Sequence, residues 1–347
     1  MIDFIRITSF LQELISTQSY SREEDLTADL IETFLNQRQI PTVRKGNNVW
    51  AKNQHFTEGL PTVLLNSHHD TVKPVAGWTR DPFAADIIDG KLYGLGANDA
   101  GGALVSLIET FCFFYDKKMP FNLVIAATAE EEISGANGIA SVLPDLPKLT
   151  LGIVGEPTLM QMAVAEKGLM VIDGIAHGKS GHAAREEGVN ALYLALEDID
   201  KIRHFEFEKK SDLLGSVKVS VTQITAGTQH NVVPDACKFV MDVRSNEHYS
   251  NEEILEILQK QAQSELKARS FRLNSSKIDL KHPIILRGLD LGLTHYGSPT
   301  LSDQALMPFE TLKIGPGDSA RSHTADEFIY VREIEDGIKT YIRLLEY

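Results

Sequence analysis

Apolar residues recur along this chain with two different periods, and the change from one to the other divides it. Up to about residue 166, segments with helical spacing alternate with short unbroken apolar runs. Phe4 to Ile15 reads as an amphipathic helix, and Ser21 followed by Glu24 as a capping box that opens a second, with Leu26, Leu30 and Phe34 on one face. Thr42 to Ala51, Pro61 to Asn66, Leu123 to Ala127 and Leu151 to Val154 read as strands. Gly101-Gly102 opens a helix to about Tyr115, and Gly135 to Leu143 forms a shorter one. Such alternation predicts a mostly parallel α/β sheet with helices on both faces.

Beyond Lys167 the period falls to two. Leu169 to Ala176, Val217 to Thr225 and Cys237 to Val243 alternate apolar with polar residues, as a sheet covered on one face does. Two helical patterns lie between them, His182 to Ile202 with Leu192, Leu196 and Ile199, and Glu252 to Leu266 with Leu255, Leu258 and Ala262. Phe271 to Leu273 supplies a last short strand, which makes an inserted α+β unit of ferredoxin-like order. The chain then returns to the first unit through a strand at Glu310 to Ile314 and a final helix with Ile334, Ile338, Tyr341 and Leu345 on one face. The expected domains are therefore residues 1–166 with 275–347, and an insertion at 167–274.

A length of 347 residues exceeds the usual single core and agrees with two domains. A net charge of -14 argues against a nucleic-acid binder, which needs a basic surface. Cys112 and Cys237 lie far apart in apolar stretches and read as reduced core thiols. The first residues lack a signal-peptide pattern, and no apolar stretch reaches the ~20 residues of a membrane span, so the expectation is a cytoplasmic protein without membrane partners.

The chemistry collects where apolar runs end. Thr62 to Leu65 leads into Asn66-Ser67-His68-His69-Asp70, Leu123 to Ala127 into Glu130-Glu131-Glu132, and Leu151 to Gly155 into Glu156. In an open α/β sheet the carboxyl ends of strands form the ligand crevice. Asp99 precedes Gly101-Gly102, and His323 ends a glycine loop that begins at Gly315 and Gly317. Singly, each has an ordinary reading: a surface turn, a helix cap, a residue before proline, a solvated loop histidine. Gathered at one rim, carboxylates repel unless a cation or proton offsets them, and this points to a metal.

Order and spacing of these five stations resemble those of the zinc aminoacylases and metallopeptidases that include acetylornithine deacetylase, succinyl-diaminopimelate desuccinylase and the glutamate carboxypeptidases. The resemblance implies a centre of two Zn²⁺, for which Co²⁺ is expected to substitute. Asp99 would bridge the metals, His68 and Glu156 would complete one site, and Glu132 and His323 the other. Asp70 would orient His68, and Glu131 would act as general base. It further implies that His182, taken to open the first helix of the insertion, reaches into the active site of a neighbouring subunit. Asn231 and Arg244 would bind substrate, while Gly317 would shape the loop carrying His323 and line the substrate site. The implied partners are a small N-acyl amino acid and a second copy of the chain, joined through the insertion. N-Acetylornithine deacylation in arginine biosynthesis is the favoured activity. N-Acetylcitrulline, a succinylated ornithine, citrulline or diaminopimelate, a carrier-linked lysine or ornithine, a dipeptide, or a catalytically silent relative are the alternatives. Arg185 or Arg321 would receive a second carboxylate if the acyl group is succinyl.

Overall fold

The computed structural model describes residues 2–346, and the chain forms two compact units. The larger comprises Met1–Val164, Ile278–Tyr296 and Ser302–Tyr347. Its sheet runs in the order Val43–Lys45, Asn48–Lys52, Asn122–Thr128, Thr62–His68, Leu151–Val154, Thr311–Lys313, Met162–Glu166. The middle four strands from Asn122–Thr128 to Thr311–Lys313 are parallel, and the flanking ones are antiparallel. Both faces of the central strands are covered, and all seven residues of Thr62–His68 and of Asn122–Thr128 are buried. That is why they read as unbroken apolar runs. On one face, helix Gly102–Phe114 lies so close that a Cβ on Gly155 would stand 2.7 Å from Leu107 Cδ1. Helices Phe4–Ser16 and Val331–Leu345 pack against that helix. On the other face, Ile139–Val142 packs with Trp50, Leu64, Val124, Ala126 and Val154.

Register fixes the site. His68 lies opposite Thr128, Asn66 opposite Val154, and Lys313 opposite Val154, so the four parallel strands end level with one another. The chain leaving each of them emerges at the same rim.

Several local expectations change. Thr42 to Ala51 is a hairpin, Val43–Lys45 and Asn48–Lys52, turned at Gly46 with φ +57°. Helix Asp25–Asn36 has Glu24 at its N-cap without a side-chain cap, and Leu26 is exposed while Ala28, Ile31, Phe34 and Leu35 are buried. Ser21 and Glu24 serve the rim instead, as described below. The helix expected from Gly135 shrinks to Ile139–Val142, because the backbone before it folds back onto Glu130, with Gly135 N donating to its carbonyl (2.7 Å) and Asn137 N to its carboxylate (3.2 Å).

The smaller unit comprises Ala165–Lys277 and Gly297–Leu301. Its antiparallel sheet runs Lys218–Ala226, Ala236–Arg244, Met170–His177, Glu265–Ala268. One face packs on helices Ala191–His204 and Asn251–Gln259 around Ile172, Phe239, Met241, Ile202, Ile254 and Leu258. Ser250 and Glu253 close a capping box on the second helix. The fourth strand is Glu265–Ala268 rather than Phe271 to Leu273, so Leu266 belongs to the sheet and the second helix stops at Gln259. The first helix begins at Ala191, not at His182. The backbone of Lys179 is paired in both directions with Val189 (2.8 and 2.9 Å), which precludes helical bonds there, and the side chain of Asn190 then caps Leu192 N.

Candidate metal centre

His68 is the last residue of its strand and is buried. Its Nδ1 donates to the main-chain oxygen of Asp70 at 2.9 Å, which turns Nε2 toward the crevice. There Nε2 faces Asp99 Oδ1 at 3.4 Å, Glu156 Oε1 at 3.8 Å and Glu131 Oε2 at 3.9 Å. Buried and without a hydrogen-bond partner, that nitrogen is an orphaned ligand atom. His323 enters from the other side, with φ +57°, and its Nε2 lies 3.0 Å from Glu132 Oε2 and 3.7 Å from Asp99 Oδ2. One oxygen of Asp99 therefore faces each imidazole. Two sets of ligand atoms lie within 4.8 Å of one another, His68 with Glu131 and Glu156, and His68 with Asp99 and Glu132. Imidazoles and carboxylates in this arrangement suit a divalent metal, and the orphaned Nε2 is where one fits.

Of the three consecutive glutamates, Glu130 turns away. Its φ is +55°, and its carboxylate accepts from Asn137 N (3.2 Å) and Asn137 Nδ2 (2.8 Å). Glu131 and Glu132 are left to face the crevice, held by Asp70, whose Oδ1 accepts from Glu131 N (3.0 Å) and Oδ2 from Glu132 N (3.2 Å) and Ser21 Oγ (2.7 Å). The Asp70 carboxylate is 3.4 Å from His68 Nδ1, so the imidazole is oriented chiefly by the carbonyl of Asp70. Burial, then repulsion from Glu156, Asp303 and Glu132, outweigh the attraction of His68 and hold the Glu131 carboxyl well above the usual range. Burial likewise pushes Glu156 up to about 8. The hydrogen bond to Glu132 lifts His323 to about 9. These are the marks of a carboxylate cluster that a cation would relieve.

The sequence profile described as peptidase family M20/M25/M40 matches residues 64–347. The chain belongs to that family. This M20 chain is thus a metal-dependent hydrolase at the level of its family. It is 28% identical to acetylornithine deacetylase of Proteus mirabilis (strain HI4320), over 99% of this chain and 97% of that protein. It is 25% identical to succinyl-diaminopimelate desuccinylase of Orientia tsutsugamushi (strain Boryong), over 75% and 72% of the two. The fold is similar to that of aminopeptidase PepT from Bacillus cereus ATCC 10987, with a TM-score of 0.80 at 18% identity over 99% and 98% of the two chains. It is also similar to the Bacillus subtilis YXEP protein, described as a dinuclear metal binding peptidase from the M20 family, with a TM-score of 0.77 at 18% identity over 99% and 97%. Among the described residues of the M20 chain, no helix is long and apolar enough to cross a membrane.

Four further residues support the rim of the M20 site: Glu327 and Asn98, which the sequence reading passed over, Glu24, which it took for part of a capping box, and Asp303, which it placed at the pocket lining. Buried Glu24 accepts from Glu130 N (3.2 Å) and Asn47 Nδ2 (2.8 Å) and so fixes the start of the glutamate turn. Glu327 accepts from the backbone N–H groups of Asn98 and Asp99, and the Asn98 side chain binds the backbone of Asp318 in the loop of His323. Asp303, buried, accepts from Thr128 Oγ1 at 2.9 Å. Gly317, with φ +89°, brings the backbone so near to Asn98 that a Cβ would stand 2.4 Å from its Oδ1. It stands where the loops of Asn98 and Pro157 meet that of His323. Arg321 makes two hydrogen bonds to Glu333, at 2.7 and 3.0 Å. Arg185 is exposed, 3.8 Å from Glu187.

In the smaller unit of the M20 chain, His182 is exposed and lies in a two-residue strand paired with Val232–Val233. Asn231 is its neighbour, with its carbonyl accepting from Ala183 N at 2.9 Å. Arg244 makes a bidentate pair with Asp242, at 2.8 and 3.1 Å, at the far end of strand Ala236–Arg244. Eight steps of ~3.3 Å separate the ends of that strand, about 26 Å. One copy of this unit therefore does not bring Arg244 to His182 and Asn231.

Proposed function

We propose that this chain hydrolyses the amide bond of an N-acyl amino acid, with N-acetylornithine in arginine biosynthesis as the favoured substrate, at a centre of two zinc ions for which cobalt substitutes. The observation that carries the reading is Asp99, with Oδ1 3.4 Å from one imidazole and Oδ2 3.7 Å from the other, the disposition of a bridging ligand. In this reading His68 and Glu156 complete one site, and Glu132 and His323 the other. When bound, two such metals polarise a carbonyl and lower the pKa of water between them.

Glu131 stands beside His68 and Glu156, on a turn held by Asp70, and its burial favours the protonated form. In its ionised form, which the charge of bound metals would favour, it can take a proton from the attacking water and carry it to the leaving amine. His182 of a partner subunit is the proposed donor to the oxyanion, which requires a homodimer through the smaller unit. Arg244 uses two of its five N–H groups on Asp242 and retains others for the α-carboxylate of a substrate, with Asn231 as a further polar contact.

Amine release from N-acetyl and N-succinyl derivatives of ornithine, citrulline, lysine and diaminopimelate, with Zn²⁺ or Co²⁺ and with a chelator control, tests the reading. The expected result is chelator-sensitive cleavage of N-acetylornithine, abolished by Glu131→Gln with metal retained. Cleavage of none of them by metal-loaded protein would overturn the reading in favour of a dipeptide, a carrier-linked substrate or a silent relative.

A further inference from the structure

Glu327 is four residues past His323, immediately before strand Phe328–Tyr330, and only 2% exposed. Its carboxylate is directed at the main chain of the turn that carries Asp99. Oε1 accepts from Asn98 N at 2.8 Å and Asp99 N at 3.0 Å, and Oε2 from Gly96 N at 3.2 Å. The Glu327 carbonyl in turn accepts from Gly94 N at 3.0 Å. Asp99 (φ -119°, ψ 97°) and Ala100 (φ -118°, ψ 30°) are not helical, so intrahelical bonds do not hold this turn and its N–H groups need an outside acceptor. The side chain of Asn98 then ties the same turn to the loop of His323. Its Nδ2 donates to Asp318 O at 3.0 Å and Ser322 Oγ at 3.3 Å, while Oδ1 accepts from Asp318 N at 3.0 Å. Asp99 is thereby clamped by a residue from one end of the His323 loop and bridged to the other.

We infer that Glu327 is a positioning residue that sets the two oxygens of Asp99 between His68 and His323, and thereby the affinity for metal, without itself touching metal or substrate. Three hydrogen bonds from one turn fix its height and tilt, and a carboxyl group offers the acceptor oxygens for all three. The inference rests on the reading of Asp99 as a bridging ligand.

Full-length Glu327→Gln and Glu327→Ala would be compared with wild type and with Ile338→Ala, a buried residue of the C-terminal helix that makes no contact with the turn through hydrogen bonds. Zn²⁺ affinity would be read by competition with a chromophoric chelator, and folding by thermal unfolding of metal-free protein. Glutamine keeps an acceptor for Asn98 and Asp99 but turns an NH₂ toward Gly96 N–H. Its affinity is expected between those of wild type and Glu327→Ala, the latter weakened about 10–100-fold, as for supporting residues of metal ligands. Ile338→Ala should lower the unfolding temperature and leave affinity unchanged. Wild-type affinity in folded Glu327→Gln or Glu327→Ala, or equal loss in Ile338→Ala, would overturn the inference. Should Glu327→Ala not fold, the comparison of Glu327→Gln with wild type decides. Absence of Zn²⁺ uptake by wild type would instead remove the bridging reading, and the inference with it.

Discussion

With its side chain buried, Asp70 accepts hydrogen bonds from Ser21 Oγ, Glu131 N and Glu132 N, and its carbonyl accepts from His68. Burial opposes its ionisation, but the bond to His68 and those to Ser21 and the Glu131 backbone outweigh it and hold the carboxyl below its usual range. Asp70→Ala keeps the carbonyl that orients His68 and removes the anchor of the glutamate turn. We expect it to lower turnover by about 10–100-fold, with Asp70→Asn less affected, as read from kcat at saturating metal. Unchanged kcat in Asp70→Ala would show that Glu131 keeps its place unaided. At Gly317, a side chain meets both a positive φ and Asn98 Oδ1 at 2.4 Å. Gly317→Ala should cost about 1–3 kcal/mol in unfolding free energy, and a wild-type denaturant midpoint would refute this. His68, Asp99, Glu131, Glu156 and His323 were legible as a group because each follows an apolar run or a glycine loop. Glu24, Asn98 and Glu327 were not, since they act on main-chain groups far away in sequence, which leaves no local pattern.

At the scale of elements, strands such as Leu151–Val154 and Ala236–Arg244 were read nearly to the residue, because period and burial coincide in them, whereas the hairpin within Thr42 to Ala51 and the strand Glu265–Ala268 were not. Helix starts were read poorly. Leu192, Leu196 and Ile199 suggested a buried stripe, yet Ala191, Ala195 and Ile202 are the buried positions and Leu196 is half exposed. Small residues carry the close approach there, and a pattern of large apolar residues does not show it. On that same buried face lies Asp198, accepting from Gln263 N (3.0 Å), Ser264 N and Ser264 Oγ (both 2.7 Å), which fastens the helix to the entry of strand Glu265–Ala268. Burial raises its pKa, but the Ser264 hydroxyl and the two backbone N–H groups outweigh that and the net shift is downward. An unfolded chain then binds the proton more readily than the folded one. The stabilisation from Asp198 is full above the ordinary value of about 3.9 and is lost as pH falls through the lowered folded value. Asp198→Asn should therefore be less stable than wild type at neutral pH and approach it in acid, as read from denaturant midpoints across that range. A difference independent of pH would refute the linkage.

For the whole molecule, the distance along strand Ala236–Arg244 makes a prediction that a single copy cannot satisfy. Arg244 lies at one end, while His182 and Asn231 lie beyond the other, about 26 Å away by strand rise. A substrate the size of an acyl amino acid does not span that gap. If all three serve amide hydrolysis, then Arg244 belongs to one active site and His182 with Asn231 to another, in an assembly of at least two copies. Complementation tests this directly. Glu131→Gln removes the base from its own site and leaves His182 for a neighbour, whereas His182→Ala does the reverse. Each variant alone should be impaired. Mixed under conditions that exchange subunits, half of the pairs are heterodimers, and each holds one site with both residues intact. Recovered activity should then approach about a quarter of wild type, the statistical expectation for a two-fold dimer. Recovery requires exchange, so it should appear with the time course of subunit mixing. Activity of the mixture no greater than the mean of the two variants, with exchange demonstrated, would place His182 outside the partner's site.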